Sequence, residues 1–287
     1  MKMADYARSK NLLGPKVIKA GAMYWCQVRP CLFRPLVPFQ EYQSAAIASP
    51  PLALLGGIQY AVPPEDESNS FLNYLMFENA TTYTVDTLDH NRKRQVRLAS
   101  KHFVIRVVTD PGEFKAKAYL AYMSFYERTG YSYGSGRRNP LFFSQWTDAL
   151  FRIPGVLILG GYRNGELVGV SLTLFVESTV IYQMFFCDTE SVRQNLADLM
   201  LHSVRESSAA CPNANQVFAA MYTNAKGLND FYQLRGAVIV KKRAMLRLNP
   251  ISRLALRLFL PNRYSTLLDS FPRSLEAIDI PTSLTER

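Results

Sequence analysis

The chain has 287 residues, 48% of them hydrophobic and 20% charged, with a formal net charge of +10. That length and composition fit a globular protein with a real core in one or two domains, and exclude a low-complexity or fibrous chain. The four cysteines, Cys26, Cys31, Cys187 and Cys211, and the three histidines show no zinc spacing and no Cys–His nucleophile pair, so no metal site and a reducing compartment are expected. The positive surplus points to a polyanionic partner (tRNA, the phosphates of coenzyme A, an acidic carrier protein or an anionic membrane) or to charge that serves solubility alone.

In chain order, residues 1–20 read as a basic, loosely ordered arm. Residues 24–39 (YWCQVRPCLFRPLVPF) alternate aromatic, basic and proline positions, and Pro30, Pro35 and Pro38 forbid a helix and imply an extended, edge-like path. Residues 52–62 read as one or two strands bent at Gly56-Gly57, 71–79 as a short helix and 81–85 (TTYTV) as β-prone. The basic segment 91–101 (NRKRQVRLASK) reads as a helix capped by Leu88, Asp89 or Asn91, followed by a strand over 102–108 and a break at Asp110-Pro111-Gly112.

Beyond the break, 113–129 carries Ala118, Tyr119, Tyr122, Met123 and Tyr126 at near-helical spacing; 131–138 (YSYGSGRR) is a glycine-rich polar loop and 140–152 a second helix. Strands follow at 154–163 and 167–176, joined by Asn164-Gly165, a hairpin signal because both residues tolerate positive φ. Then come a strand at 180–187, a polar loop at 188–195, a helix at 196–210, a strand at 216–222, a helix at 228–237 closing on Gly236, and a strand at 237–248. The tail segment 251–260 puts Ile251, Leu254 and Leu258 on one side, with Arg253 and Arg257 nearby, and is expected to stop at Pro261. It reads as a closing helix against the sheet or as a helix lying on an anionic membrane. The chain divides into a β-rich half (1–110), an α/β unit (111–250) and a basic amphipathic tail (251–287). No apolar run reaches the ~18–20 residues that span a bilayer, and the N-terminus lacks a secretory pattern, so a cytoplasmic location is expected.

The order of elements from 154 onward, together with Leu228-Asn229-Asp230-Phe231-Tyr232-Gln233-Leu234-Arg235-Gly236-Ala237, resembles the GNAT superfamily of N-acetyltransferases and its doubled branch, the Fem-type aminoacyl transferases. The resemblance covers about 88–249. It implies an α+β (α/β) fold, a mixed, mainly antiparallel sheet flanked by helices, with 1–110 a degenerate repeat of the same unit in a tandem duplication. It implies an N-acyltransferase that moves an acyl or aminoacyl group to a primary amine, with Tyr232 as the acid that protonates the leaving group and Asn224 as a positioning or turn residue.

Acyl-CoA-binding members have Gln/Arg-x-x-Gly-x-Gly/Ala before the central helix, where backbone N–H groups hold pyrophosphate. Here Arg193, Gln194 and Asn195 are followed by Leu196 and Asp198 in place of the glycines, so Leu is expected to block close approach and Asp to repel phosphate. The donors expected as co-substrates are therefore aminoacyl-tRNA or a carrier-bound acyl group ahead of acyl-CoA, with no tightly bound cofactor and no DNA partner. Arg193, Gln194 and Asn195 would hold the donor together with the basic residues Arg92, Arg94 and Arg97, or the last three form a solvated helix face. Arg137 and Arg138 would contact phosphate or lie in a mobile surface loop. Gln183, an amide on an apolar strand, would hold the acceptor or be bonded internally. The alternatives are a conventional acyl-CoA-dependent N-acetyltransferase and a non-catalytic module that docks on RNA or an anionic membrane.

Overall fold

The computed structural model describes residues 1–270. Its elements in chain order are α1 (Met3–Leu12), β1 (Val17–Ala20), β2 (Met23–Arg29), β3 (Leu32–Pro35), β4 (Gly57–Ala61), β5 (Ser70–Glu78), α2 (His90–Ala99) and β6 (Val104–Val107). They continue as α3 (Pro111–Glu113), α4 (Tyr119–Thr129), α5 (Pro140–Leu150), β7 (Val156–Arg163), β8 (Glu166–Val176), β9 (Thr179–Cys187), α6 (Thr189–Arg193) and α7 (Leu196–Ala209). The last are β10 (Gln216–Met221), α8 (Lys226–Gln233), β11 (Val238–Leu248), α9 (Pro250–Phe259) and α10 (Pro261–Leu268). The fold is mixed α/β with a mainly antiparallel sheet flanked by helices.

The chain forms two compact units. Unit 1 comprises Met1–Ile18, Leu75–Ala220 and Asp230–Val238; unit 2 comprises Lys19–Tyr74, Met221–Asn229 and the described residues from Ile239 onward.

In unit 1 the strands run in the order β10-β9-β8-β7-β6. The pairs β6–β7, β7–β8 and β8–β9 are antiparallel, and β9–β10 is parallel. The β7–β8 turn is the expected one, with Asn164 and Gly165 both at positive φ. Phe186 meets Tyr122 of α4 edge to face at 5.4 Å. Its neighbour Cys187 packs with Leu196 and Leu199 of α7 and Val96 and Ala99 of α2. Successive strand residues point to opposite faces, so α4 and α7 cover opposite sides of β9. Gly161 and Gly169 make room for Leu196: a methyl group on either would come within 2.7 Å of its side chain.

In unit 2, β2–β3 and β4–β11 are antiparallel and β3–β4 is parallel. Trp25, Phe33 and Tyr60 are fully buried there. Asn249 caps α9 through its Oδ1, which accepts from the Ile251 N–H at 2.9 Å, and its amide reaches the Leu54 carbonyl at 2.9 Å.

Several expectations are corrected. The supposed loose arm is α1, which buries Tyr6, Ala7 and Ser9 and anchors the Met1 ammonium to the Phe175 carbonyl. The segment 71–79 is strand β5, buried on both faces, rather than a helix. Residues 81–85 form short 3₁₀ turns, 51–55 is a 3₁₀ helix, and α6 occupies the expected loop at 188–195. Helix α9 ends at Phe259, before Pro261 as expected, and Pro261 opens a further helix, α10, as its fixed φ suits a first-turn position. The tail beyond Ser270 lies outside the described residues.

Candidate active site

The geometry of interest in unit 1 is where β9 leaves β10. The two strands pair at Thr179–Gln216, Val180–Val217 and Ile181–Phe218, and there the pairing stops, although both strands continue. One residue later β9 bulges against its other neighbour: Tyr182 faces Thr173 and Met184 faces Leu172, so Gln183 is the extra residue. A bulge removes one residue from the ladder and re-aims its side chain. The half-buried Gln183 accepts a short hydrogen bond through Oε1 from Lys10 Nζ of α1.

Three phenols gather on this stretch of β9. The Tyr133 hydroxyl donates to the Phe185 carbonyl at 2.9 Å and accepts from the Phe185 N–H at 3.3 Å, so it satisfies the backbone where a strand partner is missing. Burial pushes its pKa up to about 12, partly offset by the Phe185 hydrogen bond. Tyr182 is fully desolvated and its pKa lies well above the ordinary value. The Tyr232 ring stands edge to face on Tyr182 at 6.2 Å, with 8% of its surface exposed. Burial raises the Tyr232 pKa well beyond a free phenol, with Tyr133 adding to it and Arg235 opposing. Ser171 and Thr173 on β8 are also fully buried.

Arg137 is built into the protein. Its guanidinium lies 4.3 Å from the Trp146 ring centroid, donates to the Leu13 carbonyl at 3.0 Å and comes within 3.9 Å of Met184 Sδ. Burial lowers its pKa to about 10. Arg138 turns outward, bonded to the Tyr126 hydroxyl at 2.7 Å. The expected pair of phosphate contacts is therefore divided between one structural and one exposed arginine.

The connection from β9 to α7 also differs from its sequence reading. Leu196 is fully buried and points into the core, so it does not stand over the helix start. Asp198 is buried and held by Arg235 Nε at 2.9 Å and Nη2 at 2.7 Å, with Arg92 Nη1 at 3.7 Å, so its charge is matched inside the protein. What occupies this connection is α6, capped by Asp188, and Asn195 at φ 64. Gln194 bonds Glu190 at 3.2 Å, and Arg193 is exposed. Arg92 thus serves an internal pair, whereas Arg94 and Arg97 lie on the open face of α2.

Structure brings Gln183 and Tyr232 to one stretch of β9. Asn224 belongs to unit 2, where the side chain that organises the 223–229 turn is the buried Asn229, bonded to the Thr223 N–H at 3.3 Å and carbonyl at 2.6 Å. The sequence reading missed Tyr133 and Lys10; the tyrosines in 131–138 (YSYGSGRR) were the available hint. His202 bonds Tyr83 at 2.9 Å, and Glu177 sits in the β8–β9 turn at φ 52. Among the described residues no group of three His, Cys, Asp or Glu stands together as a metal cluster, and no helix is long and apolar enough to cross a membrane.

No family model matches the chain and no curated protein matches it. Solved structures share its fold. The C-terminal domain of a putative lysylphosphatidylglycerol synthetase from Agrobacterium fabrum is 8% identical with a TM-score of 0.57, over 88% of this chain and 94% of that domain. FemX is 10% identical with a TM-score of 0.57, over 89% of this chain and 93% of the other. L-PGS from Bacillus licheniformis is 11% identical with a TM-score of 0.56, over 90% and 91%. The chain shares the fold of FemX and of the lysylphosphatidylglycerol synthetase domain.

Proposed function

We propose that the protein is an acyltransferase that moves an acyl or aminoacyl group from an activated donor to a primary amine, with aminoacyl-tRNA ranked first among donors. The observation that carries this reading is the parting of β9 from β10 after Ile181, with the bulge at Gln183 and the Tyr232 phenol beside it on Tyr182.

Acyl transfer requires a donor for the carbonyl oxygen and a proton for the leaving group. In this reading the carbonyl oxygen sits at the open edge of β9 and takes over the Phe185 N–H, which donates to the Tyr133 hydroxyl at 3.3 Å, while that hydroxyl keeps its bond to the Phe185 carbonyl. Gln183, held by Lys10, faces the acceptor. The amine nitrogen bonds the carbonyl carbon as the bond to the leaving atom breaks; Tyr232 gives its proton to that atom and is reprotonated by the proton the amine releases. Its raised pKa keeps it protonated and matches it to a strongly basic leaving oxygen, as from an aminoacyl ester, better than to a thiolate that departs unaided. The structural likeness to a putative lysylphosphatidylglycerol synthetase, whose name describes an amino acid joined to a lipid, supports an aminoacyl donor. The exposed Arg94, Arg97 and Arg193 are suited to phosphates of a tRNA.

A thermal-shift titration of the whole chain with coenzyme A, an acyl-CoA and aminoacyl-tRNA tests the ranking, since a ligand of the native state raises the melting temperature. The largest shift is expected with aminoacyl-tRNA. A shift with coenzyme A alone would make the protein a conventional acetyltransferase, and no shift with any of the three would make it a non-catalytic module.

A further inference from the structure

Unit 2 contains a cleft of about 990 Å³, at the upper end of the ~300–1,000 Å³ typical of small-molecule sites. Its lining joins the β2–β3 turn, part of β5, residues 221–224 and the inner faces of α9 and α10. Most of that lining is apolar, including Leu72, Leu256, Phe259 and Leu267. Its charged groups are Arg29, Arg34 and Arg263; no Asp or Glu is among the described residues that line it. None of the three arginines is in an ion pair among the described residues.

Arg34 is the decisive group. Its Nε and Nη2 converge on Gln59 Oε1 at 3.1 and 2.7 Å, a neutral acceptor that orients the guanidinium without cancelling its charge. Gln59 is fully buried and is itself fixed, its amide donating to the Leu267 carbonyl of α10 at 2.7 Å. Desolvation weighs against the charge on Arg34, lowering its pKa, with Tyr74 opposing and the nearby Arg29 adding to the cost. A half-buried cation kept in a groove without a counter-charge is favoured when an anion arrives to pair with it.

We propose that this cleft binds an anionic amphiphile, its phosphate or carboxylate on Arg29, Arg34 and Arg263 and its hydrocarbon along Leu256, Phe259 and Leu267. The proposal does not depend on the transfer chemistry assigned to unit 1. Helix α9 supports it from a second direction. Its positions 252, 255, 256 and 259 line the cleft, an i, i+3, i+4, i+7 stripe. Its positions 251, 254 and 258 form a separate exposed apolar stripe, with Ile251 79%, Leu254 58% and Leu258 65% exposed. A helix that is apolar toward both a cleft and solvent, with Arg253 and Arg257 between, suits the surface of a lipid phase from which such a molecule is drawn.

Calorimetric titration of the full chain with dodecyl phosphate below its micelle concentration, inorganic phosphate and dodecanol tests the site. Dodecyl phosphate is expected to bind one per chain, about 100-fold tighter than either single-feature probe, because head and tail contacts combine. Arg29→Gln with Arg263→Gln, both at exposed positions that leave the fold intact, should weaken it by about tenfold or more, as expected for loss of charge-assisted contacts. Equal affinity for dodecanol would show a merely greasy groove, and unchanged affinity in the double variant together with unchanged affinity in Arg34→Gln would remove the anion from these arginines; either overturns the proposal. Vesicles of anionic phospholipid identify the source: binding that the double variant weakens marks a membrane lipid, and binding of dodecyl phosphate without vesicle binding marks a free amphiphile.

Discussion

The Tyr133 hydroxyl holds both backbone groups of Phe185, donating to the carbonyl at 2.9 Å and accepting from the N–H at 3.3 Å. A side chain from the 131–134 loop thus does on β9 what a neighbouring strand does elsewhere in the sheet. Tyr133→Phe removes the hydroxyl and leaves both groups without it. Stability should fall by about 1–3 kcal/mol, the cost of unsatisfied buried polar groups. Urea unfolding of wild type and variant measures it; a change near zero would mean the hydroxyl is not needed to satisfy β9.

Alkaline titration reads the buried phenols together. Burial raises Tyr83 and Tyr133 to about 12, and Tyr74, Tyr182 and Tyr232 further. A raised phenol pKa means that above ~10 the unfolded chain loses protons the folded chain keeps, so stability is full below pH ~10 and declines as pH climbs through 12. Phenolate absorbance should therefore appear in two stages, exposed tyrosines first and the buried set only with unfolding. A single non-cooperative rise with the far-UV signal intact would contradict this.

Asp198 is held by Arg235 and Arg92 in a pocket that also contains Tyr83, His202 and Arg205. Asp198→Asn keeps the shape and removes the charge that matches two arginines. The expected loss is about 3–5 kcal/mol, as for breaking a buried ion pair by one partner. Denaturant midpoints check it, and a variant as stable as wild type would show that the carboxylate is not matched internally.

His202 gives an acid limb. Burial lowers its pKa below the ordinary 6.5, Arg205 acts in the same direction, and Glu206 opposes them. Its Nδ1 meets the Tyr83 hydroxyl at 2.9 Å and its Nε2 lies 3.3 Å from Glu206. The unfolded chain takes up this proton first, so the stability tied to neutral His202 is present above pH ~6.5 and declines as pH falls below it toward the folded value. His202→Gln should flatten that part of the stability profile; a profile identical to wild type would remove His202 as its source.

Much of the fold was legible because local chemistry agreed with it. Asn164-Gly165 makes the turn it encodes, and Asp89 caps α2 by accepting from the Arg92 N–H at 3.0 Å. Strand β5 was misread because its residues between Ser70 and Glu78 are apolar except for the buried Asn73, and a run buried on both faces shows neither period. Helix α1 was misread because it buries little and has no side-chain cap, so its basic residues dominate the pattern. The helix that carries Tyr232, α8, was legible from a local motif. The bulge at Gln183, the Tyr133–Phe185 contact and the inward turn of Leu196 are set by which strands and loops meet, information that no window of sequence contains.

The most direct test of the account is single-turnover transfer from aminoacyl-tRNA to a panel of primary amines by wild type and Tyr232→Phe, with donor affinity measured alongside. The account predicts amine-dependent deacylation by wild type and a rate about 10²–10⁴-fold lower in the variant, the range for losing a general acid, at unchanged donor affinity. Equal rates for the two proteins would contradict it.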